Sequence, residues 1–579
     1  MGLKLNKIQS NKQRDVFQFA LVFIAVISVV VLSYFVNLKV DVTEDNRFTL
    51  KQETKDLLSE INEIITVKIY LEGENLPVDF IRLKNSVKEM LDEFGDYADE
   101  TIQYEFIDLN EIKSKEKRIK EIDRLAKIGI QYMPVEFNRE TGTSTFEIVP
   151  GAEFIMGERV VGVNLLKNNP MLHYQQNFNT SIETLEYELS LAIRKLVSGR
   201  PKNVAFLQGH GESNRAELQD LAKELSNFYI TGPIVLWDNE GLLDIKALDF
   251  IDLLIISKPL DKFEKDELFL IDQYVLRGGK LLCMLEGSRA HIDSLRTSNF
   301  FPAMPHETEL EDLLFHYGVR LDKNLIQDIR CAKIPLQVAN EGSMAQPELA
   351  PWVFFPIIFP EDNEESGHII NTRLNPMKLE FASTLFPLQN NPSLQSTVLL
   401  KTSGKNRYIT TPTRIGFEEA AGGVNPAVFI DTARAVAVLM EGKFDSYFKN
   451  RPVDKEWLQI APFDIKRKGY ETQILVVSDG DFGVNPVLKD GQILPLGVDR
   501  YNRNVFYDNK RFLINAVDYM LDHSFLIPVR SKKIEMRLLD KKKLKDEELE
   551  IKMFNFIVPI VLVLLISLVF FIVRKKRFA

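Results

Sequence analysis

The sequence predicts an α/β protein: a small α/β domain, then a larger doubly wound one, with a transmembrane helix at each end. Three observations point there. Short apolar strands alternate with amphipathic helices from residue 65 to residue 285, the pattern that builds parallel sheets covered by helices. Strands such as Ile251–Ser257 (IDLLIIS) are almost continuously apolar, as expected of a strand buried on both faces. Finally, Val16–Val36 is apolar and uncharged, and Phe554–Val573 is interrupted only by Asn555, Pro559 and Ser567. At about 1.5 Å per residue, each run is long enough to cross a hydrocarbon core roughly 30 Å thick.

The charges flanking these runs set an orientation. Lys4, Lys7, Lys12 and Arg14 precede the first, and Arg574, Lys575, Lys576 and Arg577 follow the second. Near the membrane the inner flanks carry mainly Lys39, Lys545 and Lys552, although Arg47, Lys51 and Lys541–Lys543 even the count in a wider window. Positive residues favour the cytoplasmic side. The expected topology is a cytoplasmic N-terminus (1–15), a span (16–36), an exported middle, a span (554–573) and a cytoplasmic tail (574–579). The first run exceeds the apolar core of a cleavable signal, about 7–15 residues, and no A-x-A site follows it, so it reads as an uncleaved anchor. Asn6 leaves Met1-Gly2 without a complete myristoylation signal.

With 579 residues, 45% of them hydrophobic, the chain can bury two or three domain cores. A net charge of −10 and a pI near 5.5 argue against nucleic acid as a partner. Two cysteines, Cys283 and Cys331, exclude a disulfide framework. They read as buried free thiols, with a single bridge as the alternative in an oxidising compartment.

In chain order, Thr49 with Gln52 forms a capping box for a helix through Leu57 and Ile61. Strand Ile65–Leu71, helix Phe80–Phe94 and strand Ile102–Ile107 make the small domain, 40–165. Its charged helix, Glu111–Lys127, reads as a solvated face. The larger domain, 175–525, opens on a second capping box, Thr180 to Glu183, ahead of an apolar stripe from Ile182 to Leu196. Strands then follow at Asn203–Leu207, Pro233–Trp237, Ile251–Ser257 and Lys280–Leu285, with helices near Leu218–Leu225 and Asp266–Leu276. A Pro- and aromatic-rich insertion around 331–470 includes Pro351–Pro356, after which come strand Gln473–Ser478 and helix Lys510–Leu521. Residues 526–553 read as a charged juxtamembrane segment, helical from Glu535 to Lys552.

Chemical motifs are sparse. No G-x-x-x-x-G-K-[ST] occurs, and Gly278-Gly279-Lys280 precedes a strand instead of following one, so the chain carries no P-loop. No G-x-S-x-G elbow is present, and none of the seven histidines pairs at zinc-ligand spacing. The candidate ligand site is Gly209-His210-Gly211-Glu212, between a strand and a helix at the carboxyl edge of the sheet. Glycines there let backbone N–H groups approach an anion, and His210 and Glu212 are a potential acid–base pair. The alternative is a tight turn that needs glycine at positive φ. Asp479 and Asp481 are oxygen ligands in type, but two carboxylates are too few for a cation site. Cys283 lies inside a strand with nothing to activate it. No catalytic residue, metal or cofactor is assigned.

Several segments, taken in order, carry a resemblance: Asp41–Leu50 (DVTEDNRFTL), Gln208–Glu212 (QGHGE), Asp252–Pro259 (DLLIISKP), Gln273–Gly279 (QYVLRGG), Tyr317–Val319, Trp352–Pro356, Ser478–Phe482, Asn509–Leu521 and Arg530–Lys532. With a span at each end, they make the chain similar to the gliding-motility-associated ABC-transporter accessory proteins of Bacteroidetes. The resemblance implies a thioredoxin-like small domain without its redox motif, in keeping with the lack of C-x-x-C, and a class I glutamine-amidotransferase-like larger domain. It also implies an inner-membrane, non-ATPase subunit that works with a separate ABC permease and a separate ATPase, with envelope motility and protein-secretion components as further partners. It supplies no catalytic residues. Asn555 and Pro559 are the expected transmembrane contacts, since polar and kinking residues in a bilayer tend to face protein. The competing functions are a membrane-tethered envelope hydrolase using His210 and Glu212, and a glycan- or peptide-binding module.

Overall fold

The computed structural model describes residues 49–530 except 74–75, 100, 140–141, 168–173, 198–200, 238–247, 297, 339–345, 361–366, 373, 389–390, 418–419, 421–424, 454–464, 489–490, 504 and 522–525, together with 547–578 and positions 19, 21, 23, 24, 27 and 28. These fall into two units: a body, 50–532, and the terminal segments, 1–49 with 533–579.

The body begins with α1 (Gln52–Ser59). β1 (Ile65–Ile69), α2 (Val78–Tyr97) and β2 (Ile102–Phe106) form a strand–helix–strand unit, the two strands running parallel. Phe80, Leu83, Val87, Leu91 and Phe94 give α2 a buried stripe at helical spacing. α3 (Lys115–Lys127) is solvated except at Leu125, and its Arg124 reaches Glu153 at 2.7 Å. β3 (Met133–Arg139) and β4 (Gly142–Ile148) are a hairpin. β5 (Gly151–Met156) and β6 (Arg159–Asn164) complete a four-stranded sheet of order β2-β1-β5-β6. α4 (Tyr174–Glu183) and α5 (Leu185–Val197) pack on this sheet: Phe178, Leu189 and Ile193 share a core with Ile65, Val67 and Phe154. Helices that chain position groups with the larger domain thus bury their stripe against the smaller one.

Neither expected capping box forms. α1 starts at Gln52, and the Lys51 amide ahead of it donates to the Glu186 carboxylate of α5 at 2.7 Å. Thr180 and Ser181 lie inside α4; the Ser181 hydroxyl donates to the Asn177 carbonyl and the Thr184 hydroxyl to that of Thr180. A hydroxyl bonded to the carbonyl one turn back is compatible with a helix interior, so the motif marks no helix start here.

The larger domain contains β7 (Asn203–Leu207), α6 (Gln219–Ser226), β8 (Ile230–Ile234), β9 (Leu253–Ser257), α7 (Lys265–Leu276) and β10 (Lys280–Met284). The chain then passes through β11 (Ser288–Arg289), β12 (Phe300–Pro305), α8 (Leu310–Tyr317), β13 (Val319–Leu321), β14 (Asn324–Asp328), β15 (Cys331–Val338), β16 (Gln346–Ile358) and β17 (Met377–Lys378). It continues through β18 (Leu385–Pro387), β19 (Leu394–Lys401), β20 (Asn406–Thr410), β21 (Thr413–Gly416) and β22 (Ala435–Asp445) before returning as β23 (Lys468–Val477). Among the described residues the main sheet runs β13-β18-β22-β23-β10-β9-β7-β8, with β19 also beside β22. Strands β8, β7, β9, β10 and β23 are parallel, and β22 is antiparallel to β23. The Pro- and aromatic-rich stretch is therefore two things. It extends the main sheet through β18, β19 and β22, and it builds separate small sheets around Trp352, Phe354 and Phe355.

Every residue of β9 is buried, because α6 and α9 (Asn509–Met520) cover one face and α7 the other. Even α7 is buried through its polar positions: the Asp272 carboxylate accepts from the Tyr317 and Ser446 hydroxyls, both at 2.7 Å, and from the Tyr447 amide at 2.8 Å. Burial nevertheless pushes its carboxyl above the usual range. α10 (Leu526–Arg530) sets Val529 beside Tyr187 and Leu191 of α5.

In the terminal unit, α11 (Glu548–Phe578) contains Lys552–Lys576, 25 residues long and apolar enough to cross a membrane. Asn555 and Pro559 lie within it, and Pro559 interrupts its hydrogen-bond ladder. The six described positions of the first apolar run are helical. The rest of that run, the basic N-terminus and residues 531–546 lie outside the described residues.

One glycine tests the sheet extension. Gly442 in β22 has φ +133°, and a Cβ there would stand 2.2 Å from the Ser393 carbonyl oxygen. Gly442→Ala should therefore destabilise the body by about 1–3 kcal/mol, read as a lower denaturant midpoint of the full-length protein. An unchanged midpoint would mean that β19 and β22 separate at no cost.

Candidate functional site

The parallel strands have order 2-1-3-4-5 in chain sequence, so strand order reverses between β7 and β9. Loops leaving the carboxyl ends of neighbouring strands diverge there, which opens a crevice. A cleft of about 310 Å³ lies at this point. Gly211, Glu212 and Glu217 line it from the loop after β7, Lys258 and Leu260 from the loop after β9, and Asp481 and Asn485 from the segment after β23. His291, Asp293, Glu380 and Arg500 complete the wall.

The four-residue motif folds inward. His210 is 2% exposed, stacked on the Phe263 ring with centroids 3.9 Å apart. Its Nδ1 is 3.2 Å from Glu212 Oε1 and its Nε2 is 3.1 Å from Glu267 Oε2, and both carboxylates are buried. Its backbone N–H donates to Glu212 Oε2 at 2.7 Å, and its carbonyl accepts from the Leu260 and Asp261 amides. Burial by itself would lower the imidazole pKa, but the two carboxylates outweigh it and hold His210 at about 9. Glu212 is buried too, yet the imidazolium beside it keeps its carboxyl below the usual range. The glycines are needed for shape. Gly209 (φ +129°) has the Trp237 ring 2.4 Å from where a Cβ would sit, and Gly211 has φ +70°. The amide-rich turn therefore holds an anion, and that anion is the chain's own Glu212. Gly211 and Glu212 line the cleft, whereas Gly209, which is exposed, and His210, which is buried, are not part of its lining.

A second charged cluster forms the cleft floor. Lys258 follows β9 with φ +53°, a left-handed conformation unusual for a residue bearing a Cβ. Its Nζ donates to both Asp481 oxygens at 2.7 Å and lies 3.0 Å from Glu286 Oε1. Burial alone would lower the ammonium pKa; Asp481 and then Glu286 raise it above the ordinary lysine value. Burial pushes the Glu286 carboxyl up, against the pull of Lys258. Asp479, fully buried, accepts from the Asp481 amide at 2.8 Å and the Glu380 amide at 2.7 Å. Burial, then the Asp481 charge, push it well above the usual range. The Asp479/Asp481 pair is thus divided between a turn and an ion pair, and no three metal-capable side chains come together among the described residues. Cys283 is fully buried in β10 and its thiol pushed well up. Cys331 is half-buried, its thiol pushed up to about 12 by burial. Both are free, so neither offers a thiolate near neutral pH.

Two partners were absent from the sequence reading. Glu267 belongs to a capping box with Glu264 at the start of α7, a pattern visible in the sequence, although its contact with His210 is not. Lys258 was signalled only as a charge directly after an apolar strand.

Two outcomes follow from these clusters. A histidine whose folded-state pKa is raised gives stability that is fully present below the ordinary value of about 6.5 and is lost as pH rises through about 9. His210→Ala should flatten the stability of the full-length protein across that window. It should also cost about 3–5 kcal/mol at neutral pH, because two buried carboxylates lose their counter-charge; a parallel pH–stability curve would refute the pairing. At Lys258, the Gly and Ala variants both lose the ion pairs but only Gly relieves the backbone. Lys258→Gly should be more stable than Lys258→Ala by about 1 kcal/mol, measured by denaturant unfolding.

A family described as an ABC-type uncharacterized transport system matches residues 201–516, and a domain of unknown function (DUF7088) matches residues 44–155. An uncharacterized protein of Borreliella burgdorferi is 27% identical over 302 residues, 51% of this chain and 53% of that protein. The chain thus spans about half the length of the curated relative it matches. Among solved structures, the mmIFT52 N-terminal domain aligns with 55% of this chain and 97% of its own, at 12% identity and a TM-score of 0.29. Matched over residues 201–516, more than half its length, this chain belongs to the auxiliary-component family of an ABC-type uncharacterized transport system.

Proposed function

We propose that the chain is a non-ATPase, membrane-anchored accessory subunit of an ABC transporter of the kind that supports gliding motility and associated protein secretion. The observation that carries this reading is the family match across the sheet domain. The 25-residue apolar segment in α11 supports a membrane location, and the lack of a P-loop motif in the sequence is consistent with ATP hydrolysis by a separate subunit. In this reading both ends are cytoplasmic, two helices cross the inner membrane, and the body lies in the periplasm. A separate ATPase drives a separate permease, and this chain carries the movement into its body, with Asn555 and Pro559 as helix contacts. The strand orders β2-β1-β5-β6 and 2-1-3-4-5 favour a thioredoxin-like parentage for the small domain and an amidotransferase-like one for the large.

A binding role for the body is a second reading, favoured by the cleft at the strand-order reversal. The hydrolase reading is disfavoured, since both His210 nitrogens already face buried carboxylates.

Gentle extraction of the tagged full-length chain from its native membrane should bring down a multi-span permease and a P-loop ATPase in comparable amounts. Recovery of the chain alone from several mild detergents would overturn the accessory reading. The double variant His210→Ala, Glu212→Ala separates the others: lost function with intact folding and assembly would revive the hydrolase, whereas lost folding would assign the pair to structure.

A further inference from the structure

We propose that the groove between α6 and the edge strand β8 docks an acidic amphipathic helix of a partner protein. The site lies apart from the cleft and goes beyond the accessory reading. Among the described residues β8 ends the main sheet. In parallel register Thr231 stands opposite Val204 and Pro233 opposite Phe206, so these residues share one face. α6 packs Leu221 and Leu225 with Val204 and Phe206 of β7, whereas on the same face of β8 Thr231 is half-buried and Pro233 exposed among the described residues. A groove of about 520 Å³ results, with Phe206, Leu218, Ala222 and Pro233 as its apolar lining. Val235, next on the same face, is 46% exposed and extends the apolar strip.

Charge identifies what fits. Arg215 and Lys223 stand in the wall, and among the described residues no carboxylate lines the groove, in a chain whose net charge is −10. Both cations are exposed, and neither has an ion pair among the described residues. They sit eight positions apart along one wall, a spacing that suits an extended ligand with several negative charges better than a single headgroup.

Backbone chemistry selects a helix over a strand. The Ile230 amide donates to Lys202 and the Ile234 carbonyl accepts from Gln208. The alternate positions Thr231, Pro233 and Val235 therefore turn their backbone to the open side. Pro233 has no N–H, so the donor a sixth parallel strand would need at the middle of β8 is missing. A helix satisfies its own backbone and needs only side-chain contacts from the groove.

The test places a photo-crosslinking residue at Gln219 of the full-length chain in native membranes. The expected adduct is with one protein, through a segment whose apolar stripe alternates with Asp and Glu at helical spacing. Arg215→Glu with Lys223→Glu should cut the adduct at least tenfold with an unchanged thermal midpoint, and Lys substitutions at the partner's acidic positions should restore it. Adducts that ignore the charge reversal, join a basic or extended segment, or join lipid would overturn the proposal, as would no adduct at all. Whether permease and ATPase still co-purify with the charge-reversed variant separates failure of this surface from failure of the accessory reading.

Discussion

A parallel sheet buried on both faces is the constraint on which the rest of this structure depends. β9 has no exposed residue, and helices cover it above and below. Side chains that leave such strands at their carboxyl ends enter a region with little water, where an unpaired charge costs several kcal/mol. The chain meets that cost by pairing its edge charges with one another. Lys258 sits among Asp481 and Glu286, and His210 sits between Glu212 and Glu267. Neutralising any one of them exposes its partners, so the two clusters fix the loops after β7, β9, β10 and β23.

This pairing bears on what the edge can do. A glycine-bounded turn ahead of a helix resembles an anion-binding loop, but here the Glu212 carboxylate already occupies the His210 amide. The imidazole is held protonated by its neighbours, which unsuits it as a base near neutral pH. Strain at Lys258 points the same way, since its left-handed backbone is held by three charge-assisted contacts. The edge charges are paired with one another, although Glu267 Oε1 is left buried without a hydrogen-bond partner among the described residues.

The small domain shows similar economy at longer range. Glu186 of α5 binds the Lys51 amide and the Thr54 hydroxyl, so a side chain more than a hundred positions away does the work of a local cap. Glu153 gathers Arg124 and the Tyr70 hydroxyl beneath α3. Val529 of α10 returns to Tyr187 and Leu191. The last part of the body thereby packs on the same helix pair that closes the first.

By itself the sequence determined the parallel core. Asn203–Leu207, Ile251–Ser257, Lys280–Leu285 and Gln473–Ser478 were legible because strands buried on both faces must be apolar almost throughout. The helices at Phe80–Phe94 and Asp266–Leu276 were legible from their spacing. The C-terminal apolar helix was legible from length alone. Tertiary structure decided the rest. Thr49/Gln52 and Thr180/Glu183 have the letters of helix caps, but α1 starts after Lys51, whose amide donates to Glu186, and Thr180 lies inside α4. In the Pro- and aromatic-rich region Ser396–Leu400 of β19 reads as β-like from the sequence, but the joining of β18, β19 and β22 to the main sheet was not legible, because it depends on antiparallel partners that only the fold brings together. The motif Gly209–Glu212 marked the correct edge of the sheet but not its chemistry. Whether a histidine faces solvent or two carboxylates depends on residues that sequence separates, and Glu267 lies 57 positions from His210.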